Sequence, residues 1–169
     1  MLSENTSYTI LASDGINLFI RNHSIRESNK VILLIHGLGE HSGRYLNLIQ
    51  DFNDKNISVF TMDIRGHGKS EGKRGHSPFY DQLMSDIQYF IQHVGNVISN
   101  QKYFLYGHSM GGNLVINYSL KKDEKINGII ATSPSIKPIV KLSKIKLFMA
   151  KLFQKVMPSL TLNNGLDIN

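Results

Sequence analysis

A serine hydroxyl is a weak nucleophile in water, and Gly107-His108-Ser109-Met110-Gly111-Gly112 places one where that weakness can be overcome. The Gly-x-Ser-x-Gly spacing lies between the apolar run Tyr103-Phe104-Leu105-Tyr106 and the helix-period segment 113–120. A sharp strand-to-helix turn at that point would lift Oγ above a sheet, and small flanking residues permit the strained backbone. Attack on an acyl carbonyl also needs donors aimed at the oxygen that becomes negative. The N–H of Met110 is one candidate, because the first turn of a helix leaves its N–H groups free. The N–H of Leu38, in His36-Gly37-Leu38-Gly39, is the other; the glycines let the backbone approach a substrate closely. His36 ends an apolar run and reads as a hydrogen-bonded loop brace rather than as the base. The chemistry these types and spacings favour is acyl transfer through Ser109.

The elements that must hold these residues are legible as an α/β alternation. Tyr8–Leu11 and Ile16–Ile20 flank Ser13-Asp14-Gly15 and predict a β-hairpin. Val31–Ile35 is a β-branched and leucine run, expected to be a strand buried on both faces. Tyr45, Leu48, Ile49 and Phe52 recur at helical spacing, and Ile57–Met62 predicts the next strand. A long helix is expected near 81–98, with Leu83, Ile87, Phe90, Ile91, Val94 and Ile98 along one stripe. Strands at Tyr103–Tyr106 and Gly128–Ala131, with a helix at 113–120 between them, complete a mostly parallel sheet with helices on both faces. If the sheet stops there, Gly128–Ala131 is an uncovered edge, and an isolated chain is expected to associate or pack loosely.

Composition narrows the function classes. With 169 residues, 41% hydrophobic and 19% charged, the chain fits one globular unit rather than a disordered or membrane-bundle protein. Cysteine is absent, which removes thiol nucleophiles, disulfides and thiolate metal sites. No apolar run approaches a spanning helix, and Met1-Leu2-Ser3-Glu4 lacks a secretory n-region, so a cytoplasmic location is expected. The net charge of +6 is local: residues 121–155 hold nine lysines against Asp123 and Glu124. The remainder is near neutrality, and no nucleic-acid motif accompanies the lysines, so nucleic acid is not an expected partner. Within 141–157, Leu142, Ile145, Phe148, Met149, Leu152, Phe153 and Val156 define an apolar helix face bordered by Lys141, Lys144, Lys151 and Lys155. Two roles stay open for that helix: contact with an anionic membrane surface, or packing on the core with solvated lysines.

Three stretches together resemble the α/β-hydrolase fold. They are the Ser109 motif, His36-Gly37-Leu38-Gly39-Glu40-His41-Ser42-Gly43-Arg44-Tyr45, and Asp63-Ile64-Arg65-Gly66-His67-Gly68-Lys69-Ser70-Glu71-Gly72. The Gly-Glu-His-Ser-Gly-Arg-Tyr stretch is similar to the monoacylglycerol lipase and lysophospholipase group, relatives of the serine aminopeptidases. The resemblance runs from about Ile10 to Asn169. It implies a carboxylic ester hydrolase acting through a serine acyl-enzyme on monoacylglycerol or lysophospholipid, without metal or cofactor. It implies that Glu40 and Arg44 lie near the polar end of the acyl pocket; an ion pair supporting the oxyanion loop is the equal alternative. Asp63 and Arg65 are expected to brace their own loop.

The fold's triad runs Ser, acid, His in chain order. All seven histidines (His23, His36, His41, His67, His76, His93, His108) precede Ser109, and the acids after it are Asp123, Glu124 and Asp167. By resemblance, the acid and base follow the seventh and eighth strands. Residues 1–138 would then form the first part of the hydrolase core, and 139–169 the start of a cap within which the chain ends. The chain alone is expected to be inactive. An inactive lipid-binding or interaction module and a proline iminopeptidase-like peptidase are the alternatives.

Overall fold

Val31-Ile32-Leu33-Leu34-Ile35 has no polar side chain, and the computed structural model, which describes residues 3–121 and 125–136, buries all of it inside a sheet. This strand, β3 (Lys30–Ile35), lies between β4 (Ser58–Met62) and β5 (Lys102–His108) and is parallel to both. The hairpin of β1 (Ser3–Leu11) and β2 (Asn17–Ile25) joins the antiparallel side, and β6 (Ile126–Thr132) pairs parallel to β5. The strand order is β1-β2-β4-β3-β5-β6, with β2 antiparallel to β4. The expected mostly parallel α/β sheet is therefore present.

The period-2 alternation of the strands separates two cores. Leu33 and Ile35 face the same side as Leu18, Ile20, Phe60, Met62 and Leu105. That face is covered by Met84, Ile87, Phe90, Ile91 and Val94 of α2 (Tyr80–Val97) and by Leu114, Val115 and Tyr118 of α3 (Met110–Ser119). Ile32, Leu34, Val59 and Tyr106 face the other way, against Ile49 of α1 (Leu46–Asn53). Helices thus lie on both faces.

Four elements depart from the sequence pattern, the first being β2, which runs on to Ile25 rather than ending at Ile20 because Arg21, Asn22 and His23 pair with β4. β1 starts at Ser3 rather than Tyr8, because Ser3–Ser7 are held by backbone pairing to β2 and need no apolar face. Tyr45 precedes α1, since Ser42–Tyr45 turn as a short 3-10 segment. The third helix begins at Met110 rather than Asn113; Gly111 and Gly112 carry no hydrophobic signal, yet both are buried. Among the described residues β6 is the outer strand, with Ile129 and Ile130 38% and 39% exposed. The expected helix over 141–157 and the boundary at 138/139 lie outside the described residues.

Candidate active site

β5 ends at His108 and α3 begins at Met110, which leaves Ser109 to make the whole turn at φ 52°, ψ −115°. A side chain in that region is strained, at a typical cost of about 1–3 kcal/mol. Three glycines make the turn possible. A Cβ on Gly107 would run into the Gly111 carbonyl, and one on Gly111 would run into the carbonyls of Ile35 and His36. A Cβ on Gly37 would lie 3.2 Å from the Ser109 Cβ. The helix is thus pressed onto the ends of two strands, and only α-carbons without a Cβ fit between them.

The strained residue is held on both sides. Its N–H donates to the Thr132 carbonyl (2.9 Å), while its own carbonyl accepts from the N–H groups of Asn113 and Ser135 (both 3.1 Å). The Asn113 amide also donates to the Ser135 carbonyl (3.1 Å). The Ser109 Oγ lies 3.3 Å from the Ser135 Oγ. Ser135 and Asn113 escaped the sequence reading; the one signal for Ser135 is its place just past a parallel strand, where α/β sheets gather their ligands.

On the other side of Ser109 is the loop after β3. Leu38 is 47% exposed there, and neither its N–H nor that of Met110 is bonded to another described residue. Glu40 folds back to accept from the Gly37 N–H (3.0 Å) and from the Tyr45 hydroxyl (2.6 Å). Arg44 stands 3.9 Å from the other Glu40 oxygen. Burial would raise the Glu40 carboxyl, but the Tyr45 and Gly37 hydrogen bonds and the Arg44 charge bring it below the usual range. Desolvation and the adjacent carboxylate raise the Tyr45 phenol. Glu40 therefore fixes the shape of the loop that presents the Leu38 N–H.

His36 is fully buried, donating from Nδ1 to the Gly37 carbonyl (2.7 Å) and accepting at Nε2 from the Ile64 N–H (2.9 Å). Both ring nitrogens are occupied, and burial lowers its pKa to about 4. It braces two loops and has no free nitrogen for Ser109. His108 Nδ1 pairs with Thr132 Oγ1 (3.0 Å), which also meets Tyr106 Oη (3.1 Å). Asp63 accepts from the N–H groups of Ser42 (2.6 Å) and Lys69 (2.8 Å). Arg65 is clamped by Asp86 (2.6 Å) and Asp14 (2.7 Å). Both side chains brace the loop after β4. Among the described residues, no cluster of three His, Asp or Glu side chains is placed to hold a metal ion.

Residues 26–169 match the serine aminopeptidase S33 family. The chain belongs to that family of α/β-hydrolases. It is 35% identical to the monoglyceride lipase of Rattus norvegicus over 162 residues, covering 90% of this chain and 51% of the lipase. It is 42% identical to an uncharacterised abhydrolase domain-containing protein of Dictyostelium discoideum, covering 94% of this chain and 17% of that protein. The crystal structure of Paleococcus ferrophilus monoacylglycerol lipase superposes with a TM-score of 0.70 at 35% identity, over 99% of this chain and 56% of that one. The chain thus spans about half the length of the lipases it matches. In this α/β-hydrolase, Ser109 and Met110 lie at the end of β5, and Leu38, Glu40 and Arg44 lie on the loop after β3, whose Gly37 borders Ser109.

Proposed function

We propose that Ser109 is the acyl-accepting nucleophile of a lipid ester hydrolase, acting on monoacylglycerol or lysophospholipid. One observation carries this reading: a strained serine on a strand–helix turn, facing a loop whose free N–H can share an oxyanion with its own helix N-terminus. Ser109 Oγ bonds to the ester carbonyl carbon, and its proton passes to a general base. The carbonyl oxygen becomes an oxyanion between the N–H groups of Leu38 and Met110. Collapse expels the alcohol, which takes up the proton, and water then releases the fatty acid by the same path. Glu40 shapes the oxyanion loop. Arg44, with its side chain 56% exposed, is the better placed of the pair to meet a glycerol or glycerophospho headgroup.

The base is the gap in this mechanism. No histidine follows Ser109, His36 has both ring nitrogens occupied, and His108 is bonded through Nδ1 to Thr132. This chain is expected to turn over esters at no more than the residual level of an oxyanion hole without its triad, roughly 10³–10⁴-fold over water. Turnover of p-nitrophenyl esters, with Ser109→Ala as control, tests this. A Ser109-dependent rate at the level of whole lipases would place a base inside these 169 residues. Loss of all Ser109 dependence would leave a lipid-binding module. Lys141, Lys144, Lys151 and Lys155 complete the proposal as a cap-side contact with anionic membrane. Their reversal to Glu should weaken vesicle binding, and unchanged binding would return them to solvated positions.

A further inference from the structure

Cations outnumber acids on the shoulder of the sheet beside the oxyanion loop. β2 runs antiparallel to β4, so its first residues lie at the same sheet end as Ser109. With strands about 4.8 Å apart, three strand steps put this shoulder roughly 14 Å from the nucleophile. There Phe19 carries two cations on one ring: the Arg21 guanidinium 5.2 Å from its centroid and the Lys69 ammonium at 5.1 Å. Arg21 Nε donates to Ser42 Oγ (3.0 Å), and Arg74 donates to the Gly68 carbonyl (2.8 Å). Arg44 extends the group toward the site. The nearby carboxylates are already bonded: Asp63 is buried under backbone N–H groups, Glu40 holds Gly37 and Tyr45, and Glu71 accepts from the Asn17 N–H. Arg21, Lys69 and Arg74 form no ion pair with a described residue.

We infer that this shoulder, built on Arg21, Lys69 and Arg74, docks the chain onto an anionic lipid surface beside the catalytic face. The inference deepens the lipid-ester reading and rests on it, since such a substrate is met at a bilayer. Arg21 is held by Ser42 of one loop and Arg74 by the Gly68 carbonyl of another, so the cations are spread over two loops of the shoulder. A single phosphate would find no cradle, whereas a surface of many headgroups meets all of them. The separation from Ser109 fits neighbouring lipids rather than the headgroup of the molecule being cleaved. Like charges sharing the Phe19 ring repel one another, and an anionic surface relieves that repulsion.

The experiment is sedimentation of the purified chain with phosphatidylcholine vesicles, with and without phosphatidylserine. Each basic residue near such a surface strengthens binding about fivefold, so Lys69→Glu/Arg74→Glu should weaken partitioning at least tenfold. Binding should also fall with added salt. Both side chains are exposed, and Lys69→Gln/Arg74→Gln, checked by an unchanged melt, keeps the test valid if the reversal misfolds. Ser109→Ala should bind vesicles like the unaltered chain, which separates docking from the ester chemistry. A change below twofold in the double variants overturns the inference, as does absence of binding to the anionic vesicles. Equal loss of binding to a duplex RNA in place of the vesicles would also overturn it.

Discussion

The loop after β4 and the loops after β3 and β5 share one end of the sheet and a similar richness in glycine, but they engage their polar groups differently. In the first, Asp63, Arg65 and Ser70 use their polar atoms on neighbours 6 to 51 residues away. His67 Nε2 is its one buried side-chain atom without a partner among the described residues. In the other two, backbone is strained at Ser109, and the N–H groups of Leu38 and Met110 are left open beside it. Satisfied polar groups hold a shape; strained and unsatisfied ones are available to a substrate. Histidine, aspartate and arginine in a glycine-rich motif thus carry no catalytic meaning until their partners are known.

Breaking the bracing loop should give the largest effect. Arg65→Ala leaves Asp86 charged and buried, which is expected to cost about 3–5 kcal/mol, or roughly 2–4 °C of melting temperature per kcal/mol. A thermal or urea melt checks it, and a loss below 1 kcal/mol on the order of a surface pair would show that the clamp is not structural.

The buried histidine between the two kinds of loop sharpens the comparison through pH. An unfolded chain takes up a proton on His36 near pH 6.5, the folded chain only near pH 4. Its contribution to stability is therefore complete above pH 6.5 and falls by about 1.4 kcal/mol per unit as the pH drops, levelling off below pH 4. Urea midpoints across that interval should fall at least this steeply, because burial also lowers His23 and His93. A flat profile would mean that the ring is protonated as easily inside as outside. Asp14, held below the usual carboxylate range by its hydrogen bond from Arg65, and Glu40 add their own losses only at lower pH.

Glycine replacement separates the loops further. Gly68 sits at φ 50°, and a Cβ there would strike the Asp63 carboxylate, so Gly68→Ala should destabilise by about 1–3 kcal/mol. Ser109→Gly should act in the opposite sense. Relief of strain at φ 52° outweighs the added chain entropy, for a gain of about 1 kcal/mol, while the proposed nucleophile disappears. A destabilised Ser109→Gly chain would mean that the serine hydroxyl, through Ser135, holds more than the strain costs.

Much of this arrangement is local in origin. β3 holds an unbroken apolar run, β4 is rich in β-formers, α2 carries an apolar stripe, and the Ser109 turn is written in contiguous residues, so periodicity and glycine placement suffice to find them. The polar segment 3–7 of β1 and the glycine-bearing start of α3 carry no apolar period, and their extents were not legible. Residue types and spacing are enough for the strand and helix alternation, the nucleophile candidate and the lack of a histidine after it in these 169 residues. Tertiary structure alone decided that β3 lies between β4 and β5, that Glu40 turns back onto Gly37, that His36 has no nitrogen to offer, and that Ser135 meets Ser109. The physical reason is separation along the chain. Apolar burial follows from a residue's type and period, but a hydrogen bond or ion pair depends on which distant group arrives, such as Asp14 at Arg65, 51 residues away.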